Sequence, residues 1–161
     1  MKKATRAMLS QLLSPAAVNL KLQSADRDGV LSELVNQVPQ FTDQPEARET
    51  LLRALHEREQ LHSTGIGDGV ALPHARNAIV GLVHDPLLVF GRHDTGIPFD
   101  AIDKVPARLF FLLLAPTVTQ HLAILARLTR LVSDPRLRKS LLSAESAEKA
   151  ISLIRDAENK M

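Results

Sequence analysis

Three polar residues interrupt the apolar patterning of this chain: Arg58, His74 and His121. Together they suit one chemistry. A neutral imidazole is nucleophilic near pH 7, because its unperturbed pKa is about 6.5, so it can take a phosphoryl group on nitrogen and release it again. Phosphoryl transfer asks a protein mainly for positioning and charge stabilisation. A guanidinium can grip phosphoryl oxygens in a planar fork, and a second imidazole can donate a hydrogen bond to one of them.

Arg58 falls on the stripe formed by Ala47, Leu51, Ala54, Leu55 and Leu61, with no carboxylate at helical spacing on that face. A guanidinium facing a core needs a partner, since breaking a buried pair costs about 3–5 kcal/mol. An incoming anion would serve; so would a salt bridge to another segment, or an aliphatic stem snorkelling to water. His121 falls among Val118, Leu122, Leu125, Leu128 and Val132, in the first turns of a helix that Thr117 and Gln120 open as a capping box. Unpaired backbone N–H groups and the helix dipole there favour an anion and keep an imidazole neutral. The alternative is a hydrogen-bonded core histidine. His74 follows Pro73, which lacks an N–H donor, so its strand ends there or lies at an edge. That puts His74 at a strand terminus, where α/β folds gather their ligand sites.

The glycines of "STGIGDGVALPH" match neither the G-x-G-x-x-G fingerprint nor a Walker sequence. They read as a turn feeding a strand at 70–72. Around this segment the chain alternates strand and helix patterns. Residues 17–23 alternate as a half-buried strand, 26–38 have helical spacing, and Asp43 with Pro45 opens a second helix to about Leu61. Residues 86–93 and 107–116 read as strands, the latter apolar on both faces and so central in a covered sheet. A helix follows from Thr117 through Val132, a short one opens at Asp134-Pro135, and a last one is capped near Ser146. This order predicts an α/β fold with helices packed on the sheet.

Composition removes several alternatives. The chain has 161 residues, enough for one domain with a sizeable core, and no cysteine, which excludes disulfides, thiolate nucleophiles and thiolate metal sites. Twenty Lys and Arg are interleaved with 18 Asp and Glu, and aromatics make up only 3%, which argues against a nucleic-acid surface. The longest apolar run, 109–115, is far short of the roughly 20 residues of a membrane helix. The N-terminus has neither a long apolar segment nor a small-residue cleavage site, so a cytoplasmic protein without membrane insertion is expected. A metal hydrolase built on His74, His121 and Asp68 or Asp100 lacks any H-x-x-x-H spacing to support it.

"REQLHSTGIGDGVALPHAR" resembles the active-site segment of enzyme IIA of the fructose–mannitol type, from the bacterial phosphoenolpyruvate:sugar phosphotransferase system. Within that type the resemblance is strongest to the nitrogen-regulatory branch. "FDAIDKVPARLFFLLLAP" and "HLAILARL" carry the same pattern, so that it extends over 17–156, and residues 1–161 are expected to form one such domain. The resemblance implies a mixed sheet flanked by helices on both sides. It implies that His74 is the phosphorylated histidine, Arg58 the arginine sixteen positions before it, and His121 the second active-site histidine. It further implies an HPr-like donor and no cofactor or metal. The phosphorylated or bare form would act on regulatory targets or, in a sugar-specific enzyme IIA, pass phosphate to a separate enzyme IIB. Two departures from the nitrogen-regulatory pattern stand beside the site: Ala75-Arg76, where glycine then lysine is usual, and His62, where a small residue is common. His56, His84 and His93 are expected to be surface or structural residues.

Overall fold

The strand β5 (Ala107–Leu114) organises the molecule. Leu109, Phe111 and Leu113 enter one core while Phe110, Leu112 and Leu114 enter another, the two-residue period of a strand covered on both faces. In the computed structural model, which describes residues 8–75 and 81–161, four further strands complete the sheet. These are β1 (Val18–Asn19), β2 (Gly65–Gly67), β3 (Val70–Ala71) and β4 (Leu87–Ile97). The order β1-β4-β5-β3-β2 puts β5 in the middle. β1 is parallel to β4 and β3 to β5, whereas β4 and β5, and β2 and β3, are antiparallel. The sheet is therefore mixed, as expected.

Helices cover both faces of this single α/β domain. α1 (Arg27–Asn36) and α2 (Pro45–Leu61) bury Val30, Leu31, Leu34, Leu51 and Leu55 against Val89, Phe110 and Leu112. α3 (Val118–Val132), α4 (Pro135–Ser143) and α5 (Ala147–Asn159) bury Ile124, Leu128, Leu137, Leu141 and Ile154 against Leu88, Phe90 and Phe111. Asp26, Thr117, Asp134 and Ser146 each accept a backbone N–H at the start of their helix, a bond typically worth about 1 kcal/mol. Among the described residues no helix is long and apolar enough to cross a membrane. Arg76 and residues 1–7 lie outside the described residues.

Four local expectations need correction. The strand expected over 17–23 pairs only at Val18–Asn19, because the Asn19 side chain accepts the Lys21 N–H at 2.9 Å and turns the chain; pairing resumes where Leu22 N donates to the Arg92 carbonyl at 2.9 Å. Gln44 rather than Asp43 precedes α2, and its side chain makes no cap. β4 continues past His93 to Ile97 through a register shift, where His93 Nδ1 accepts the Gly96 N–H at 3.0 Å. The glycines, read as a turn, supply a strand as well. β2 runs antiparallel to β3 through a turn in which Gly67, Asp68 and Gly69 have φ of 94°, 56° and 78°. Three successive left-handed residues need glycine at most positions, and Asp68 is held there by donating its N–H to Asp103 Oδ2 at 2.8 Å.

Candidate active site

Past the end of β3 the backbone stays against β5. Leu113 N donates to the Pro73 carbonyl at 3.1 Å, and His74 forms a parallel bridge with Leu113. β3 thus ends at Ala71, before Pro73, and pairing with β5 resumes at His74, so Pro73 neither closes the pairing nor lies at the sheet edge. His74 is half-buried, and its Nδ1 lies 2.6 Å from the Leu72 carbonyl. A carbonyl can only accept, so Nδ1 carries the ring proton and Nε2 keeps its lone pair. Burial pushes the pKa of His74 down; the Leu72 carbonyl partly opposes this, and the positive charge of Arg58 adds to it. The ring is therefore neutral at pH 7 with a bare Nε2, which is the form that can act as a nucleophile.

β5 and the turn after it deliver the second histidine. Thr117 Oγ1 accepts the Gln120 N–H at 3.2 Å and donates to Gln120 Oε1 at 2.9 Å. Thr117 thus caps the helix, but Gln120 binds its hydroxyl instead of its backbone N–H, so the expected capping box is only half made. His121 follows in the first turns of α3, only 5% exposed, its ring centroid 5.2 Å from that of His74. Burial, with a smaller contribution from His74, pushes its pKa down to about 4. The buried face of α3 is His121, Ile124, Leu128, Leu131 and Val132. Val118 and Leu122, expected on that face, are exposed, because the α3 sequence is apolar on more than one side.

On α2 the sequence pattern singled out the wrong neighbour as the buried one. The inward stripe is Leu51, Leu55 and Glu59 at four-residue spacing, whereas Leu61 is exposed and Arg58 is half-buried. Arg58 Nη1 donates to the His62 carbonyl at the end of its own helix, and its charge reaches His74. The inward face of α2 therefore does carry a carboxylate, that of Glu59, which among the described residues makes no ion pair with Arg58. Glu59 is 5% exposed, accepts the Thr64 N–H at 3.0 Å on Oε1, and takes the Thr64 hydroxyl on Oε2. The i, i+4, i+8 spacing with Leu51 and Leu55 was the signal that could have found it. The Leu72 carbonyl, being backbone, has no such signal.

The remaining candidates separate from this site. Asp68 and Asp100 are exposed, facing Arg138 at 4.0 Å and Arg27 at 3.4 Å. Among the described residues no group of three or more His, Cys, Asp or Glu could hold a metal ion. His62 and His84 are exposed, and His56 Nδ1 lies 3.6 Å from Asp28. His93 is structural: Nε2 donates to the Ser24 carbonyl at 2.9 Å while Nδ1 accepts from the β4 backbone.

Comparison with known proteins supplies the context for this geometry. The family model described as the phosphoenolpyruvate-dependent sugar phosphotransferase system, EIIA 2, matches residues 11–157. The fructose-specific EIIABC component of a phosphotransferase system in Bacillus subtilis is 34% identical over 148 residues, 91% of this chain, which spans only 23% of that protein's length. A nitrogen regulatory protein of Pseudomonas aeruginosa is 30% identical over 153 residues, 94% of this chain and 97% of its own. Among solved structures, the nitrogen regulatory protein IIA-Ntr from Neisseria meningitidis superposes with a TM-score of 0.79 at 28% identity, covering 90% of this chain and 97% of that one.

Proposed function

Since this chain belongs to the EIIA 2 family of the phosphoenolpyruvate-dependent sugar phosphotransferase system, we propose that it is a regulatory phosphocarrier whose acceptor atom is His74 Nε2. The observation that carries the assignment is the 2.6 Å contact of Nδ1 with the Leu72 carbonyl, which leaves Nε2 as the free nitrogen of a neutral ring. An HPr-like protein phosphorylated on histidine is the donor. The Nε2 lone pair forms the new N–P bond as the donor's N–P bond breaks, and the breaking pair stays on the donor nitrogen. His74 Nδ1 keeps its proton, so the phosphorylated ring becomes cationic and its bond to the Leu72 carbonyl strengthens. Arg58 neutralises charge on the phosphoryl oxygens, and His121 donates a hydrogen bond to one of them. No cofactor or metal enters this step.

The nitrogen-regulatory role is favoured by matches that run nearly the full length of both chains, to the Pseudomonas aeruginosa protein and to IIA-Ntr. A second reading, a fructose- or mannitol-specific enzyme IIA that passes phosphate to a separate enzyme IIB, is favoured by the 34% identity to the fructose-specific protein. Incubation with a phosphorylated HPr-type donor should add one acid-labile, alkali-resistant phosphate to the wild type and none to His74→Ala; full labelling of that variant would refute the acceptor. Deleting the gene should leave fructose and mannitol uptake intact, and loss of either would favour the transport reading.

A further inference from the structure

Glu59 stands apart among the buried groups near His74, because the transfer step above makes no use of it. It is joined to the acceptor through a short chain of bonds. Its Oε1 accepts the Thr64 N–H at 3.0 Å and its Oε2 accepts the Thr64 hydroxyl. The Thr64 carbonyl accepts the Leu72 N–H at 2.9 Å. The Leu72 carbonyl, across the same residue, accepts His74 Nδ1–H at 2.6 Å. Thr64 and Leu72 are both buried, so water does not compete for these bonds. A carboxylate in such a place is costly unless its oxygens are satisfied, and packing alone would favour an apolar residue on the stripe of Leu51 and Leu55.

Resting on the phosphocarrier reading, we propose that Glu59 is a positioning residue for phosphoryl transfer. It ties the strand pair that carries His74 to the end of α2 that carries Arg58, and so fixes the direction of the Leu72 carbonyl. That carbonyl holds the proton on Nδ1 and leaves Nε2 bare. It also gains strength as the ring becomes cationic, so its orientation counts for more in the transition state than in the ground state. The bond-making and bond-breaking are those already given, and Glu59 exchanges no proton with the substrate. Because it takes neutral donors from Thr64, the carboxylate is satisfied without consuming the Arg58 guanidinium, which donates instead to the His62 carbonyl.

The test uses the full chain with Glu59→Ala, Glu59→Gln and Thr64→Val. Three quantities are read: thermal melting, the transfer rate from a phosphorylated HPr-type donor, and the His74 ring nitrogen shifts of the unphosphorylated protein by 15N NMR. Wild type should show a protonated Nδ1 and a bare Nε2. Glu59→Ala should show averaged ring nitrogens and transfer slowed by roughly 10- to 100-fold, the scale of an ångström-level misplacement, while still reaching one phosphate per chain. Glu59→Gln, which can accept the Thr64 N–H through its amide oxygen, should recover most of the rate and the tautomer. Where Glu59→Ala does not fold, Thr64→Val removes only the hydroxyl bond and should give a smaller change in the same direction. A folded Glu59→Ala, or in its place Thr64→Val, with wild-type tautomer and rate overturns the proposal. A wild type that takes no phosphate would sink the phosphocarrier reading, whereas the tautomer readout tests Glu59 separately.

Discussion

The α2 end that holds Glu59 and the α5 end that holds Glu158 both bury a carboxylate, yet they satisfy it differently. Glu158 accepts the backbone N–H groups of Leu9 and Ser10 and pairs with Arg127 at 3.2 Å. It closes the N-terminal turn onto the last helix, and its charge is neutralised within the fold. Among the described residues no cation comes within ion-pair distance of Glu59; Thr64 supplies its donors, while Arg27 and Arg58 act on it only through their fields. Burial raises the pKa of Glu59, and the Thr64 bonds and the two arginines limit that rise. The difference separates a clamp from the proposed site. At Glu158 the fold completes an ion pair, whereas beside the proposed phosphoryl acceptor, among the described residues, the Arg58 guanidinium has no carboxylate within ion-pair distance.

Substitutions can break that contrast. Glu158→Ala should cost about 3–5 kcal/mol of stability, because it strands Arg127 and two buried N–H groups. The transfer rate per folded molecule should not change. Melting temperature and labelling rate measured side by side decide this, and an unshifted melting temperature would dissolve the clamp. Arg58→Ala should do the reverse. Losing one contact to the developing charge removes about 2.7–4 kcal/mol of transition-state stabilisation, roughly 100- to 1000-fold in rate, with little change in melting. Arg58→Lys keeps the charge but loses the fork and should fall between. Unchanged rates in folded variants would return Arg58 to a structural role.

Two smaller effects sharpen the contrast within the site. The pKa of His121, about 4 in the folded protein, lies below the roughly 6.5 of an unfolded chain. Between these values the unfolded chain binds the extra proton, so stability present above about pH 6.5 is lost as pH falls towards 4. After allowance for solvent screening the loss is roughly 1–3 kcal/mol, and denaturant melts across that window should show it. His121→Ala should flatten the dependence; an unaltered pH profile in that variant would mean another group titrates. The same variant should still take one phosphate, about 3- to 10-fold more slowly, the worth of one hydrogen bond. Complete loss of labelling in folded protein would give His121 more than a supporting role.

Much of the fold is legible in the sequence, for reasons tied to particular residues. The two-faced apolar run of β5 announced a central strand, and Asp26, Thr117, Asp134 and Ser146 announced helix starts. β2 was missed because Gly65–Gly67 has almost no side chains to alternate, and its pairing comes from the backbone alone. The site was legible where chemistry sits in side chains at odd positions: the structure brings His74 and His121 within 5.2 Å. It was illegible where orientation comes from a carbonyl, as at Leu72, or where a stripe turns by one residue, as at Glu59. A pattern of 3.6 residues per turn can place Arg58 or Glu59 inward, and in the fold Glu59 takes that place, bonded to Thr64.

The most direct measurement is the nitrogen that carries the phosphate. The wild-type chain, labelled with 15N on histidine and phosphorylated by an HPr-type donor, can be read by 31P–15N coupling and ring-nitrogen shifts. Phosphorus should couple to Nε2 of His74, with Nδ1 still protonated and the His121 pKa raised from about 4 by the new negative charge. Coupling to His74 Nδ1, or to either nitrogen of His121, would contradict the assignment of Nε2 as the acceptor.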